Sequence, residues 1–405
     1  MKNLTDAQHL RLKARAQRMA DRLPALSFQQ DGLLAPESRS AFARCAASVL
    51  KKNRAVGASL VLLAPSGKAD VFPFGDARLS PRLPVTENTC FRAASVSKLV
   101  MAFGALALCE QGLLWLDDPL DALFGWPVRS PHFPDAPVTL RMLLTHTAGI
   151  RDEGTYGTRG MESGCTLREL LADPQNWLEQ RPGAAFHYSN LGAGAAGCAM
   201  ELAAGKPFDD LMQALVFQPL AIRASYDPRR IVPVSDLADG YSVRAFFPPR
   251  LKYDAALLAA RPPEAFVPGQ DYLCAAGRMI TDSRGLAQLL RLLASHGEMG
   301  VLSPSFLDLM RTCQDGMGGV LSCGRGLNIA FLPDVFPGFS PVGHQGVAYG
   351  MCAELFADPA SGAGVGLLTS GIRLGRRTPP LMEAGLDLLA LGFGALAQAG
   401  HPQTV

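Results

Sequence analysis

Ser95-Val96-Ser97-Lys98 stands at the start of an apolar helical run, Leu99 to Leu108. A spacing of i, i+3 at a helix start puts the Ser95 hydroxyl and the Lys98 amine on one face, close enough to share a proton. A serine hydroxyl is a weak nucleophile, and a desolvated lysine with a lowered pKa is one way to activate it. The positive end of the helix also favours the oxyanion formed when Ser95 attacks a carbonyl. Taken alone, the same letters describe a helix cap followed by a solvated lysine. Their weight comes from companions further along the chain: Tyr188-Ser189-Asn190, and Gly343-His344-Gln345-Gly346 in a region of strand pattern near the end.

Such residues need a frame. After a polar, helical start, Phe42, Cys45, Ala46, Val49 and Leu50 follow i, i+3, i+4, i+7, i+8, one face of a helix that opens at Ala35-Pro36. Val56 to Ala64 and Ala69 to Phe74 read as a strand hairpin about the turn Pro65-Ser66-Gly67. Strand signals then vanish through the middle of the chain. They return as Gly324 to Leu332, Pro341 to Gln345, Gly350 to Ala357 and Gly364 to Ser370. A closing helix from about Pro379, with Met382, Leu386, Leu389 and Phe393 on one face, is placed to cover a sheet built from both chain ends. The expectation is an α+β protein: a helical extension over 1–35, a sheet domain from 36–77 and 271–405, and the nucleophile helix with a helical insert over 78–270. The proline-rich stretch from Asp227 to Gln270 is a long loop of the kind that lines a binding cleft.

With these residues in place the chain resembles the serine β-lactamase and penicillin-binding-protein superfamily, and within it the class C β-lactamase-like hydrolases and esterases. Phe91 to Lys98 looks like that family's nucleophile segment, and Leu143-Leu144-Thr145-His146-Thr147-Ala148-Gly149-Ile150 resembles its Leu-Leu-Thr-His-Thr-Ser-Gly-Leu block. Tyr188-Ser189-Asn190-Leu191-Gly192 continues through Gly205-Lys206-Pro207-Phe208 to Pro219-Leu220 as the family's tyrosine segment does. The resemblance implies a transpeptidase-like fold: an antiparallel sheet flanked by helices, a helical inserted domain, and the site in the cleft between them. It implies Ser95 as the acylated nucleophile, Lys98 as its proton partner and Tyr188 as a second acid/base group. Asn190 would bind substrate polar groups or hold Lys98. The backbone N–H groups of Ser95 and Val347 would form the oxyanion hole, with Gly346 letting an acyl group approach the strand.

His344 departs from the pattern, since the β-lactamases usually carry lysine there while many esterase and peptidase relatives carry histidine. A neutral imidazole weakens the case for carboxylate-bearing β-lactams, and a rate that depends on His344 ionisation between about pH 5.5 and 7.5 is expected. Gln345 would place an amide in the site. Hydrolysis of an ester or amide is the expected activity. Acyl transfer, β-lactam binding and a catalytically silent acyl-binding protein are the alternatives.

Several classes are excluded. Lys plus Arg number 38 against 36 Asp plus Glu, with no like-charge block to track a phosphate backbone, so no nucleic-acid partner is expected. The apolar run Leu99 to Cys109 is shorter than the roughly 20 residues of a membrane span, so no membrane partner is expected either. Nine cysteines without a Cys-x-x-Cys pair or zinc spacing point to reduced thiols and no metal or other cofactor. No secretory signal is read, which makes the expected compartment cytoplasmic. Gly192-Ala193-Gly194-Ala195-Ala196-Gly197 fits a dinucleotide fingerprint by letters, but no buried strand precedes it, and close helix packing explains it better. His146 reads as structural, near the cleft, and His187 receives no catalytic role. The small-molecule substrate and the oligomeric state stay open.

Overall fold

A computed structural model describes residues 6–156, 165–263, 265–314, 325–378 and 381–399. Both chain ends contribute to one antiparallel sheet of seven strands: β1 (Gly57–Leu63), β2 (Ala69–Leu79), β3 (Arg82–Pro84), β4 (Ala330–Phe331), β5 (Val342–Ala348), β6 (Met351–Ala357) and β7 (Gly364–Thr369). Their order is β3-β2-β1-β7-β6-β5-β4, so the first and last strands of the sheet are central neighbours, with Leu60 opposite Leu367. Every residue of β1 is buried. Leu60 and Leu62 face one core and Val61 and Leu63 the other, which is why the strand reads as an unbroken apolar run.

Three helices cover one face: α1 (Asp6–Ala20), α2 (Pro36–Lys52) and the closing helix, α6, over Glu383–Ala399. Pro36 at the first turn suits the start of α2, and Phe42, Ala46, Val49 and Leu50 form its buried stripe. α1 lies along α6, with Arg15 paired to Asp387 at 2.6 Å and to Glu383 at 2.8 Å. The other face takes α5 (Ser283–Ala294), whose Leu286 comes so close to β7 that a Cβ on Gly366 would sit 2.6 Å from it. Beyond lies the helical half, with α3 (Val96–Glu110), buried from Val96 to Leu108, and α4 (Asn190–Ala204). No helix among the described residues is long and apolar enough to cross a membrane.

Two expectations change. The strand expected over 324–332 reduces, among the described residues, to Ala330–Phe331, because a turn closes with the Gly326 N–H on Ile329 O (3.1 Å) and Asn328 takes φ +56°. The middle of the chain also contains strands, at Ala224–Ser225, Gly240–Ser242, Arg250–Tyr253 and, just beyond it, Ile280–Thr281. Each is too short to show a period in the sequence. Their effect is local but useful: Phe91–Arg92 and Ala224–Ser225 both pair with Ile280–Thr281, and the Ala93 N–H bonds Met279 O at 2.7 Å, which fastens the chain just ahead of Ser95.

Candidate active site

Ser95 sits at the N-terminal end of α3 with φ −68° and ψ −5°. Ala94 before it holds φ +46°, a left-handed conformation that costs a residue with a Cβ about 1–3 kcal/mol and persists only where neighbours enforce it. The neighbours are visible. The Ser97 hydroxyl donates to Ala94 O at 2.5 Å and accepts the Met279 N–H at 3.0 Å, while the Tyr226 hydroxyl donates to Ser97 O at 2.7 Å. One turn on, Lys98 is fully buried and its Nζ donates to Ser95 Oγ (3.1 Å), to Asn190 Oδ1 (2.8 Å) and to Ala276 O.

Small residues bring the last of these partners within reach. A Cβ on Gly194 would lie 2.6 Å from Tyr272 O, and one on Gly197 would lie 2.5 Å from Ala275 Cβ. The glycine pattern of α4 therefore packs the short helix Leu273–Gly277, and with it Ala276 O, against the lysine. The structure gives the fingerprint-like letters no nucleotide geometry: they lie inside a helix capped by Ser189, not at a strand–helix turn.

Asn190 is aimed by a residue the sequence did not reveal. Asp152 accepts from the Ser189 hydroxyl (2.8 Å), the Asn190 N–H (2.7 Å), the Asn190 side-chain amide (2.7 Å) and the Leu191 N–H (3.2 Å). The Asn190 Nδ2 is thus committed to Asp152, so its Oδ1 turns to Lys98. Asp152 also satisfies backbone donors at the start of α4, where a carboxylate complements the helix dipole.

Tyr188 lies between two histidines. Its ring centroid is 4.5 Å from that of His146 and 6.3 Å from that of His344, and Lys98 Nζ stands 5.0 Å from it. His146 is buried at φ +57°, and its Nδ1 accepts the Ser189 N–H at 3.2 Å, so the neutral ring carries its proton on Nε2. Burial, followed by the charge of Lys98, holds its pKa well below the usual value. It supports the tyrosine segment. His187 turns to Glu153 (3.2 Å).

The opposite wall is β5, which pairs with β6 along its whole length and, among the described residues, with β4 at Val342 and Gly343 but with no strand on that edge from His344 onward. The strand runs three residues past its expected end and so carries Val347. Gly346 serves a closer neighbour than the acyl group: a Cβ there would meet Ala93 O at 2.3 Å and Ser95 N at 2.9 Å. Only glycine lets β5 lie against the nucleophile turn, which brings the Val347 end of the strand beside the Ser95 N–H.

One reading of β5 is corrected. Burial, then the charge of Lys98, pushes the His344 imidazole down to about 3, outside the window between pH 5.5 and 7.5. Its Nδ1 donates to Gln345 O at 2.6 Å, which leaves Nε2 as an acceptor. Gln345 lines the same cavity as Ser95, with its amide already engaged: Nε2 donates to Glu354 Oε1 and Oε1 accepts the Met382 N–H at 2.9 Å. Glu354 is fully buried, and burial pushes its carboxyl up to about 8. A Cβ on Gly385 would come 1.8 Å from its Oε1, so α6 leaves room for the acid.

Between the walls lies a cavity of about 390 Å³ with Ser95, Tyr188, His344, Arg325, Arg377 and Met382 in its lining. Among the described residues no group of three or more His, Cys, Asp or Glu is arranged to hold a metal ion. The arrangement suits attack on a carbonyl: a hydroxyl beside a buried amine, a tyrosine ring 5.0 Å from that amine and in the same cavity lining as the hydroxyl, and the Ser95 N–H beside Gly346.

Comparison with known proteins agrees with that chemistry. The model of the family described as Beta-lactamase matches residues 42–380. The esterase EstB of Burkholderia gladioli is 30% identical over 322 residues, 71% of this chain and 79% of that protein. The D-alanyl-D-alanine-carboxypeptidase/endopeptidase AmpH of Escherichia coli is 28% identical over 197 residues, 46% of this chain and only about half (49%) of that protein. Among solved structures, EstCE1, described as a hydrolase with promiscuous acyltransferase activity, superposes with a TM-score of 0.70 at 25% identity, covering 89% of this chain and 100% of its own.

Proposed function

The chain belongs to the Beta-lactamase family, and from that premise we propose that it is a serine hydrolase that opens a small ester or amide through an acyl-enzyme on Ser95. The observation that carries the reading is Lys98 Nζ, fully buried, 3.1 Å from Ser95 Oγ and fixed there by Asn190 and Ala276.

In the proposed sequence the Lys98–Tyr188 pair, carrying one proton fewer than in the resting arrangement, takes the Ser95 proton as Oγ bonds to the carbonyl carbon. The N–H groups of Ser95 and Val347 receive the developing oxyanion. Collapse of the tetrahedral species breaks the ester or amide bond, and the leaving group departs with a proton delivered by Lys98 or Tyr188. Water, deprotonated by Tyr188, then attacks the acyl carbon, and Ser95 regains its proton as the acid leaves. His344 accepts a hydrogen bond from substrate without contributing charge. Position 344 therefore offers a substrate carboxylate no cation, while Arg325 and Arg377 in the same lining do, and a β-lactam belongs among the substrates assayed.

Acyl transfer to an alcohol in place of water is the second reading, supported by the likeness to EstCE1. The proposed compartment is the cytoplasm, supported by the cysteines of the described residues being free. Assay of p-nitrophenyl acetate and butyrate, D-amino-acid amides and a β-lactam, with and without added methanol, tests the proposal. Turnover of at least one ester or amide is expected, with methyl ester in the product if transfer competes. A folded protein that turns over none of them contradicts it.

A further inference from the structure

The hairpin of Gly240–Ser242 and Arg250–Tyr253 lies outside the chemistry described so far. Its tip presents Phe246, 93% exposed, and Phe247, 62% exposed, with Leu251 exposed beside them. Exposed aromatic residues in sequence on one loop mark an interaction site more often than a solvated turn. The tip is held in place. The Arg54 guanidinium donates to the carbonyls of Arg244 (2.7 Å), Ala245 and Phe247 (3.0 Å). At the base, Leu79 N–H bonds the Tyr241 hydroxyl at 2.9 Å and Tyr253 stacks on Tyr349. Arg54 itself sits just past α2 at φ +52°, a position where glycine or asparagine is the ordinary choice. The chain accepts that conformation and gains a side chain that ties the phenylalanines outward.

Charge surrounds them with one sign. Arg244, Arg250 and Lys252 are exposed on the hairpin, and Lys51 and Lys52 are exposed at the end of α2, next to the arginine that reaches the tip. Neither 49–62 nor 240–253 contains an Asp or Glu, although acids and bases nearly balance over the whole chain. We propose that this hairpin docks the protein on an anionic lipid surface, with Phe246 and Phe247 entering the boundary of headgroups and acyl chains and the five cations facing the lipid charge. The expectation of no membrane partner rested on the missing span and did not address a surface contact. A second copy of the chain is a poorer occupant, because two such patches face to face would oppose like charges.

Co-sedimentation of the full chain with vesicles tests this, independently of any hydrolase activity. Binding to phosphatidylglycerol/phosphatidylcholine vesicles, weak binding to pure phosphatidylcholine and loss of binding at high salt are expected. Phe246→Ser/Phe247→Ser and Arg244→Glu/Lys252→Glu should each lower the partition coefficient by about 10-fold or more, with turnover of a soluble ester unchanged. No binding to anionic vesicles, or binding that survives the phenylalanine substitutions, overturns the proposal. So does self-association in sedimentation velocity that those substitutions abolish while vesicle binding is absent.

Discussion

The two walls of the cleft each place a buried or half-buried carboxyl one step behind an amide, and they use it in opposite ways. On the helical wall Asp152 gathers donors from Ser189, Asn190 and Leu191 and turns Asn190 Oδ1 toward Lys98. On the sheet wall Glu354 holds Gln345 from inside the core, with its Oε2 buried and without a hydrogen-bond partner. A carboxyl surrounded by N–H and O–H donors serves as a fixed acceptor; one enclosed by apolar side chains and a thiol is kept protonated by desolvation. The helical wall therefore carries the chemistry and the sheet wall carries the pH sensitivity.

The largest effect that separates the walls is expected at the end of the helical chain of contacts. Lys98→Met should lower kcat on a p-nitrophenyl ester by about 10³-fold, because among the described residues Lys98 is the amine that bonds Ser95 Oγ. If that variant keeps more than a tenth of the parental rate, the lysine is not the base. Asp152→Ala should lower kcat by about 10- to 100-fold with KM little changed, since Asn190 loses its fixed orientation. It should also cost about 1–3 kcal/mol in stability as the start of α4 loses its acceptor. Asp152→Asn, which restores an acceptor, should recover part of both, and a loss of stability with kcat intact would reduce Asp152 to a helix cap.

Glu354 sharpens the contrast through pH. Burial holds its folded pKa at about 8, above the ordinary glutamate value of 4.5, so its contribution to stability is complete below pH 4.5 and is lost as pH rises through 8. Glu354→Gln should flatten the stability profile over that window and be more stable than the parent at pH 9, by a few kcal/mol at most. Urea unfolding at pH 5, 7 and 9 measures this, and a parental profile already flat would show that the acid is not buried as described. The smallest effect is a matter of shape: His344→Gln should change the rate but leave the pH–rate curve between pH 5.5 and 7.5 unaltered, because an imidazole held down to about 3 does not titrate there. An ionisation that disappears with the substitution would restore the earlier expectation.

The same contrast explains what could be read from the letters. Ser95 and Lys98 stand three apart at a helix start, the spacing a nucleophile and its proton partner need, while Tyr188 and Gly346 were legible only through the resemblance of their segments to the family's. Strands β1, β6 and β7 showed themselves too, being buried throughout and long enough to show their composition, whereas β2, only partly buried, was legible from Ala69 to Phe74 but not on to Leu79. Asp152 gave no signal, since its partners lie far along the chain, at Ser189 to Leu191, and a single acid in a loop has no period. Glu354 did leave one: an acid inside the otherwise apolar run Met351 to Ala357 asks for a partner or a proton. The direction of the Gln345 amide was beyond sequence, because it depends on the room that Gly385 leaves behind β5. The hairpin 240–253 was hidden by its prolines and its two very short strands.

The central claim, an activated Ser95, is tested most directly by intact-mass spectrometry of the parent and its Ser95→Ala variant after incubation with a fluorophosphonate. The account predicts a single adduct on the parent and none on the variant. A folded parent that gains no adduct, or a variant that still gains one, contradicts it.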